Sequence, residues 1–321
     1  MKKAKTVTMV VFYALLVMLA VSGCEKTKES QKEISTRDLT GAVVADSIEQ
    51  HVKWLENMGT RFALSPNRRQ VADRIRKKLV GWGYQNASLD SFRISVYYNG
   101  SLYDQWQYNV IAKLEGSADL DSVCIIGGHY DNTLRSTSGN PFEGAYGAND
   151  NASGTAAMLE MARAMKKIDY KPRNDIMFIA YGAEELGLLG SKSHSETASV
   201  SGMKIIMMLN NDMIGYEPSD NSTGWKVDIM DYTSSGILRY KAQELVHKYT
   251  LLDHVHDNTY NKQSDSYPYS QKGYPALFFF SYSFDPNYHT LLDISQNCNF
   301  KYCAEVVKIS AALLVDANTF D

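Results

Sequence analysis

The amino-acid sequence predicts an α/β fold, a three-layer α/β/α sandwich around a mixed, mostly parallel central sheet. Three observations carry this. Residues 123–127, 176–181, 205–209 and 276–280 are short continuous apolar runs, the texture of strands buried on both faces. Helical periodicity fills stretches between or after them, at 153–167, 186–197, 235–250 and 300–314. No long Pro/Gly/Ser linker interrupts the alternation, so residues 46–321 read as one domain.

At the start of the chain, Lys2, Lys3 and Lys5 precede an uncharged, largely apolar run over 6–21. A basic n-region, an apolar h-region and small residues before a cut describe a secretory signal. The run also has the length of a short membrane span, which makes a permanent anchor helix the alternative. Val21-Ser22-Gly23-Cys24 decides between them, because it resembles a bacterial lipobox. Residues 1–23 are then a lipoprotein signal peptide, and Cys24 becomes a lipidated N-terminus. Acyl chains anchor by burying methylenes at about 0.8 kcal/mol each. Residues 24–45, opened by a charged stretch poor in large apolar residues, are expected to form a flexible tether. The implied place is the cell envelope, on its periplasmic face or at the cell surface.

Residues 46–59 have the pattern of an amphipathic helix. Ser65 as N-cap and Pro66 in the first turn open a second helix, expected to reach Trp82 and stop at Gly83. Residues 91–98 alternate like a strand and 107–114 form another β-rich run, the expected early antiparallel strands. Cys124 lies in an apolar run and reads as a small buried hydrophobe. Cys298 and Cys303 leave two readings open: a disulfide in an oxidising compartment, or two thiols, since i,i+5 positions on a helix diverge. Net charge is -3 and the pI about 6.2, so no basic surface argues for nucleic acid. The sequence leaves the oligomeric state open.

Sites in open α/β sheets form beyond the carboxyl ends of strands. Here those ends carry Gly127-Gly128-His129-Tyr130-Asp131, Gly182-Ala183-Glu184-Glu185, Asn210-Asn211-Asp212 and, after the last apolar run, Tyr288-His289-Thr290. A further cluster, from Gly147 through Asp150 to Gly154, opens the next helix. Singly, each has a plain reading: a hydrogen-bonded structural histidine, a turn and N-cap, or a solvated helix start. His194, His247, His254 and His256 keep such readings. Jointly, convergent carboxylates repel one another and lose hydration, which calls for a cation. Mixed His, Asp and Glu donors without thiolate suit zinc, with cobalt and manganese fitting less well. His129, Asp150, Glu185, Asp212 and His289 are too many ligands for one catalytic zinc and about right for two.

These motifs resemble the co-catalytic two-zinc aminopeptidase family, which includes bacterial leucyl aminopeptidases, aminopeptidase Y and, more distantly, glutaminyl cyclases. The match runs from about Asp46 onward, with Asn109-Val-Ile-Ala112 fitting an early strand. It implies the zinc-exopeptidase, phosphorylase/hydrolase-like version of the fold, peptide substrates and two zinc ions. Asp150 would bridge them, with His129 and Asp212 completing one site and Glu185 and His289 the other. Asp131 would accept a hydrogen bond from the His129 imidazole. Glu184 would be the general base that helps deprotonate a zinc-activated water and returns the proton to the leaving amine.

The chain departs from the family pattern at Asn149 and Asn211, where relatives often carry Asp and Leu, and at Ser266, where the Ser-Asp-His segment carries its His. Tyr267 beside it is a candidate oxyanion donor or a plain aromatic pocket wall. Two rival readings remain. A glutaminyl cyclase would use the same scaffold with one zinc, although Tyr288 stands where those cyclases usually carry Trp. A non-catalytic peptide-binding surface lipoprotein would have lost ligands that this chain retains.

Overall fold

The computed structural model of the protein describes residues 34–118 and 120–317. The expected signal peptide and Cys24 lie outside these residues. Within them, Ser35 caps helix α1 (Thr36–Ala42): its hydroxyl accepts from the Asp38 N–H, and the Asp38 carboxylate accepts from the Ser35 N–H. Leu39 of this helix is fully buried. The tether expected through residue 45 therefore gives way earlier to a docked helix, built from a capping box and one apolar anchor in a charged stretch.

Helices α2 (Ala45–Glu56) and α3 (Arg68–Gly81) follow. The second starts later than expected because Ser65, Pro66 and Asn67 form a turn, closed by the Arg68 N–H on the Ser65 carbonyl. Strands β1 (Ser88–Tyr98) and β2 (Ser101–Leu114) form an antiparallel hairpin. Its turn residues Asn99 and Gly100 both have positive φ, 46° and 79°, the left-handed pair that a two-residue hairpin requires.

From there strands and helices alternate: β3 (Ser122–His129), α4 (Ser153–Lys167), β4 (Asp175–Tyr181), α5 (Leu189–Val200), β5 (Lys204–Asn211), β6 (Lys226–Met230), α6 (Gly236–Tyr249), β7 (Asp253–Val255), α7 (Ser266–Gln271), β8 (Ala276–Ser281) and α8 (Phe300–Ala317). Among the described residues, eight strands make one sheet in the order β1-β2-β4-β3-β5-β8-β6-β7. Strands β4, β3, β5 and β8 run parallel, with antiparallel joins at β2–β4 and β8–β6. Strands β6 and β7 were not expected, since five and three residues carry too little pattern to read. Helix α5 begins after the expected residue 186 because Leu188 turns left-handed, at φ 61°.

Alternate residues of β3 serve opposite faces. Cys124 and Ile126 join a core with Leu159 of α4 and Val306 and Ile309 of α8, while Val123 and Ile125 pack with Ala198 of α5 and Tyr269 of α7. Each fully buried aliphatic side chain contributes about 1.5–3 kcal/mol. Helices cover both faces, which makes three layers. Cys298 and Cys303 are free thiols, as is the buried Cys124. No helix among the described residues is long and apolar enough to cross a membrane.

Candidate metal centre

The parallel strands deliver the cluster at one edge. His129 ends β3, Glu184 and Glu185 follow β4 through Gly182 and Ala183, and Asp212 follows β5. His289 comes from the loop after β8, and Asp150 from the turn Ala148–Ala152 ahead of α4. Ala183, Met213 and His289 take left-handed backbone angles (φ 59°, 52° and 56°). Such conformations cost about 1–3 kcal/mol each and gather where function fixes the chain. Close approach needs glycine: a Cβ on Gly154 would fall 1.9 Å from the Asn211 carbonyl oxygen, and one on Gly128 would fall 2.7 Å from it.

All five proposed ligands and Glu184 converge. His129 Nε2 lies 3.3 Å from Asp150 Oδ1, 3.4 Å from Asp212 Oδ1 and 3.8 Å from Glu184 Oε2. His289 Nε2 lies 3.0 Å from Asp150 Oδ2 and 3.1 Å from Glu185 Oε2. The two oxygens of Asp150 thus face different histidines. The adjacent glutamates diverge, Glu184 toward His129 and Glu185 toward His289.

Asp131 is placed differently from the expectation. His129 Nδ1 meets its backbone carbonyl at 3.1 Å, while the carboxylate is 3.7 Å away. That carboxylate instead accepts the N–H groups of Glu184 (3.1 Å) and Glu185 (3.2 Å). The backbone carbonyl therefore faces the imidazole, leaving the carboxylate free to fix the glutamate turn.

The electrostatics ask for positive charge. Burial pushes the Glu184 carboxyl well above its usual range and Glu185 up to about 7, with neighbouring carboxylates adding to both. Burial also raises Asp212. His289 goes the other way: burial opposes its proton, but Asp150 and Glu185 outweigh that and lift it to about 10. His129 is likewise raised against burial, by Asp212 and Glu184. Asp212 Oδ1 is buried without a hydrogen bond. Two donor triads, His129/Glu184/Asp212 and His129/Asp150/Glu185, have ligating atoms within 4.8 Å. Such N/O sets fit zinc.

The cluster floors a cleft of about 220 Å³ walled by Met213, Tyr260, Phe278, Phe280, Phe284 and Tyr288. That is below the ~300–1,000 Å³ of drug-sized sites. Tyr267 does not line this cleft. Its ring lies 6.2 Å from that of Tyr232, and its hydroxyl accepts from Gln271. Nearby Ser266 pairs with the Tyr232 hydroxyl at 2.8 Å.

Other residues hold the cluster without any local sequence mark. Arg61 is 1% exposed and donates to the carbonyls of Tyr130 (2.7 Å), Tyr146 (2.7 Å) and Gly147 (2.8 Å), tying the His129 and Asp150 loops together. Asp293 accepts the backbone N–H groups of Asn149 (2.6 Å) and Asp150 (3.0 Å). Ser264 donates to Asp212 Oδ2 at 2.5 Å. Asp293, four residues after His289, was the one within reach of a motif reading.

A profile of peptidase family M28 matches residues 109–314. Leucine aminopeptidase 1 of Fusarium vanettenii is 28% identical over 309 residues, covering 92% of this chain and 75% of that protein. A probable zinc metalloprotease of Pyrenophora tritici-repentis is 30% identical over 202 residues, 58% of this chain and 45% of that protein. The chain spans about half the length of several curated relatives it matches. Among solved structures, the fold is shared with the Legionella pneumophila LapA aminopeptidase at 20% identity and TM-score 0.73, over 90% of this chain and 76% of that one. It is shared with Porphyromonas gingivalis glutaminyl cyclase at 20% identity and TM-score 0.68, over 86% and 99%. Fold alone therefore does not separate hydrolysis from cyclisation. With a match spanning every strand-end motif from His129 to His289, the chain belongs to peptidase family M28.

Proposed function

We propose that this chain is an exported, lipid-anchored zinc aminopeptidase that holds two zinc ions and removes N-terminal residues from peptides. The observation that carries the reading is Asp150, whose carboxylate oxygens face His129 and His289 at 3.3 and 3.0 Å and so offer one ligand to each of two sites. His129 and Asp212 would hold one ion, Glu185 and His289 the other. Zinc, when bound, supplies Lewis acidity toward a peptide carbonyl and toward water. Glu184 takes the proton of the attacking water and delivers it to the leaving amine. Asp131 keeps Glu184 at that post through its backbone.

The cleft supports the choice of chain end. A substrate carboxylate would need a guanidinium or ammonium partner, and among the described residues no lysine or arginine lines the cleft. A free α-ammonium suits an acidic floor, and the aromatic walls suit a bulky apolar first residue. Membrane attachment rests on the lipobox-like Val21-Ser22-Gly23-Cys24.

The test counts the zinc per chain that Asp150→Ala loses relative to wild type, and offers wild type a leucyl anilide and an N-terminal glutaminyl peptide. Loss of two zincs and chelator-sensitive release of the anilide support the proposal. Loss of one zinc with cyclisation alone would assign the cyclase chemistry instead, and no chelator-sensitive turnover of either would leave a binding protein. Fatty-acid labelling that persists in Cys24→Ala would sink the anchor.

A further inference from the structure

The histidines outside the cleft do not share one role. His194 bonds the Tyr269 hydroxyl at 2.6 Å and His256 bonds Asp231 at 2.8 Å, the structural use expected from the sequence. His247 and His254 are arranged otherwise. His247 lies in the last turn of α6, and Asp253 and His254 lie on the neighbouring strand β7. Ligating atoms of all three fall within 4.8 Å of one another, with the two imidazole centroids 5.0 Å apart.

One atom in this group is unsatisfied. His254 Nδ1 is shielded from water and has no hydrogen-bond partner. Asp253 Oδ1, at 3.8 Å, is beyond hydrogen-bond range. A shielded polar atom without a partner calls for one, and a cation between the imidazoles and the carboxylate would supply it. Arg239, a nearby positive charge, is ion-paired with Asp231 at 2.9 Å.

We propose that His247, Asp253 and His254 form a second metal site, separate from the catalytic cluster, for a divalent transition ion of zinc's class. Two imidazoles and one carboxylate are a donor set that such ions accept. His247 and Asp253 are exposed, so water completes the coordination and the ion exchanges freely. The site ties the end of α6 to edge strand β7. Strand β7 leads into the segment whose Asn258 and Asn261 are held by Asp231, and which carries Tyr260 and Gln263 to the cleft. Metal here would steady the approach to that wall without touching the reaction.

The experiment measures zinc per chain by mass spectrometry on full-length protein equilibrated with micromolar zinc. Wild type is compared with His247→Ala, His254→Gln and His256→Ala. The expected result is one zinc fewer per chain in the first two, no loss in His256→Ala, and turnover retained in all three. Because the difference between variants is read, the result does not depend on whether the catalytic cluster holds one ion or two. Should His254→Gln not fold, His247→Ala on the exposed helix surface carries the same test. Equal zinc in all four proteins would reduce the pair to a ring contact and overturn the site. An equal loss in His256→Ala would place the ion elsewhere and overturn it too.

Discussion

The backbone N–H of Glu184 donates to the carboxylate of Asp131 across 3.1 Å. The same carboxylate holds the Glu185 N–H, and the Asp131 carbonyl faces His129 Nδ1. One residue therefore sets the end of β3 and the glutamate turn in register. Asp131→Ala is expected to fold yet lose about 10–100-fold in zinc affinity, the usual effect of removing a partner behind the ligands. Chelator competition measures it, and unchanged affinity would deny Asp131 this role.

Glu184 makes a different prediction. Its side chain turns toward His129 while Glu185 turns toward His289. Glu184→Gln should keep its zinc and lower kcat about 10²–10⁴-fold, the scale of general-base loss. Metal content and steady-state kinetics on the same sample test both halves. Loss of zinc with activity would make Glu184 a ligand instead.

Arg61 tests the scaffold. Its guanidinium serves carbonyls of Tyr130, Tyr146 and Gly147 in the interior. Arg61→Met removes these donors and leaves the Tyr130 and Tyr146 oxygens unpaired, at about 1–3 kcal/mol each before relaxation, while Gly147 keeps the N–H of Ala152. A fall of about 3 kcal/mol or more in urea-unfolding free energy is expected. A change within about 0.5 kcal/mol would show that water replaces the guanidinium.

His51 on α2 gives a pH signature of its own. Burial, with Lys78 and Arg163 adding, pulls its pKa from 6.5 to about 3. The unfolded chain takes up this proton near pH 6.5, and the folded chain refuses it until about pH 3. More protons bind the unfolded state in that window, so stability falls as pH falls, by about 1.4 kcal/mol per pH unit. His51→Phe should flatten stability against pH by about that slope between roughly pH 6 and 4. Parallel profiles for the two proteins would contradict the assignment.

Much of this architecture was legible because parallel strands buried on both faces read as unbroken apolar runs, and the candidate ligands stand right after them. His129, Glu185 and Asp212 could be found for that reason. Other parts had no such mark. Arg61 acts through backbone carbonyls, which are chemically alike at every residue, so its partners leave no trace in the sequence. Asp131 was expected to face the His129 ring with its carboxylate, and its carbonyl lies nearer, since spacing from His129 does not say which of the two comes closer. Tyr267 was expected near the cleft from its neighbourhood in the chain, yet the turn of α7 points its ring toward Tyr232. The short helix Thr36–Ala42 was masked by charge, although Ser35 and Asp38 spell a capping box.

The straddling carboxylate of Asp150 has one more consequence. Its two histidines come from distant parts of the chain, and Asp293, beyond both, fixes its backbone. No fragment ending before the loop after β8 contains the whole constellation. On the proposed reading, a chain still short of that loop has no complete site. Any turnover at this cluster would then report that β8 has joined the sheet and delivered the loop that follows it.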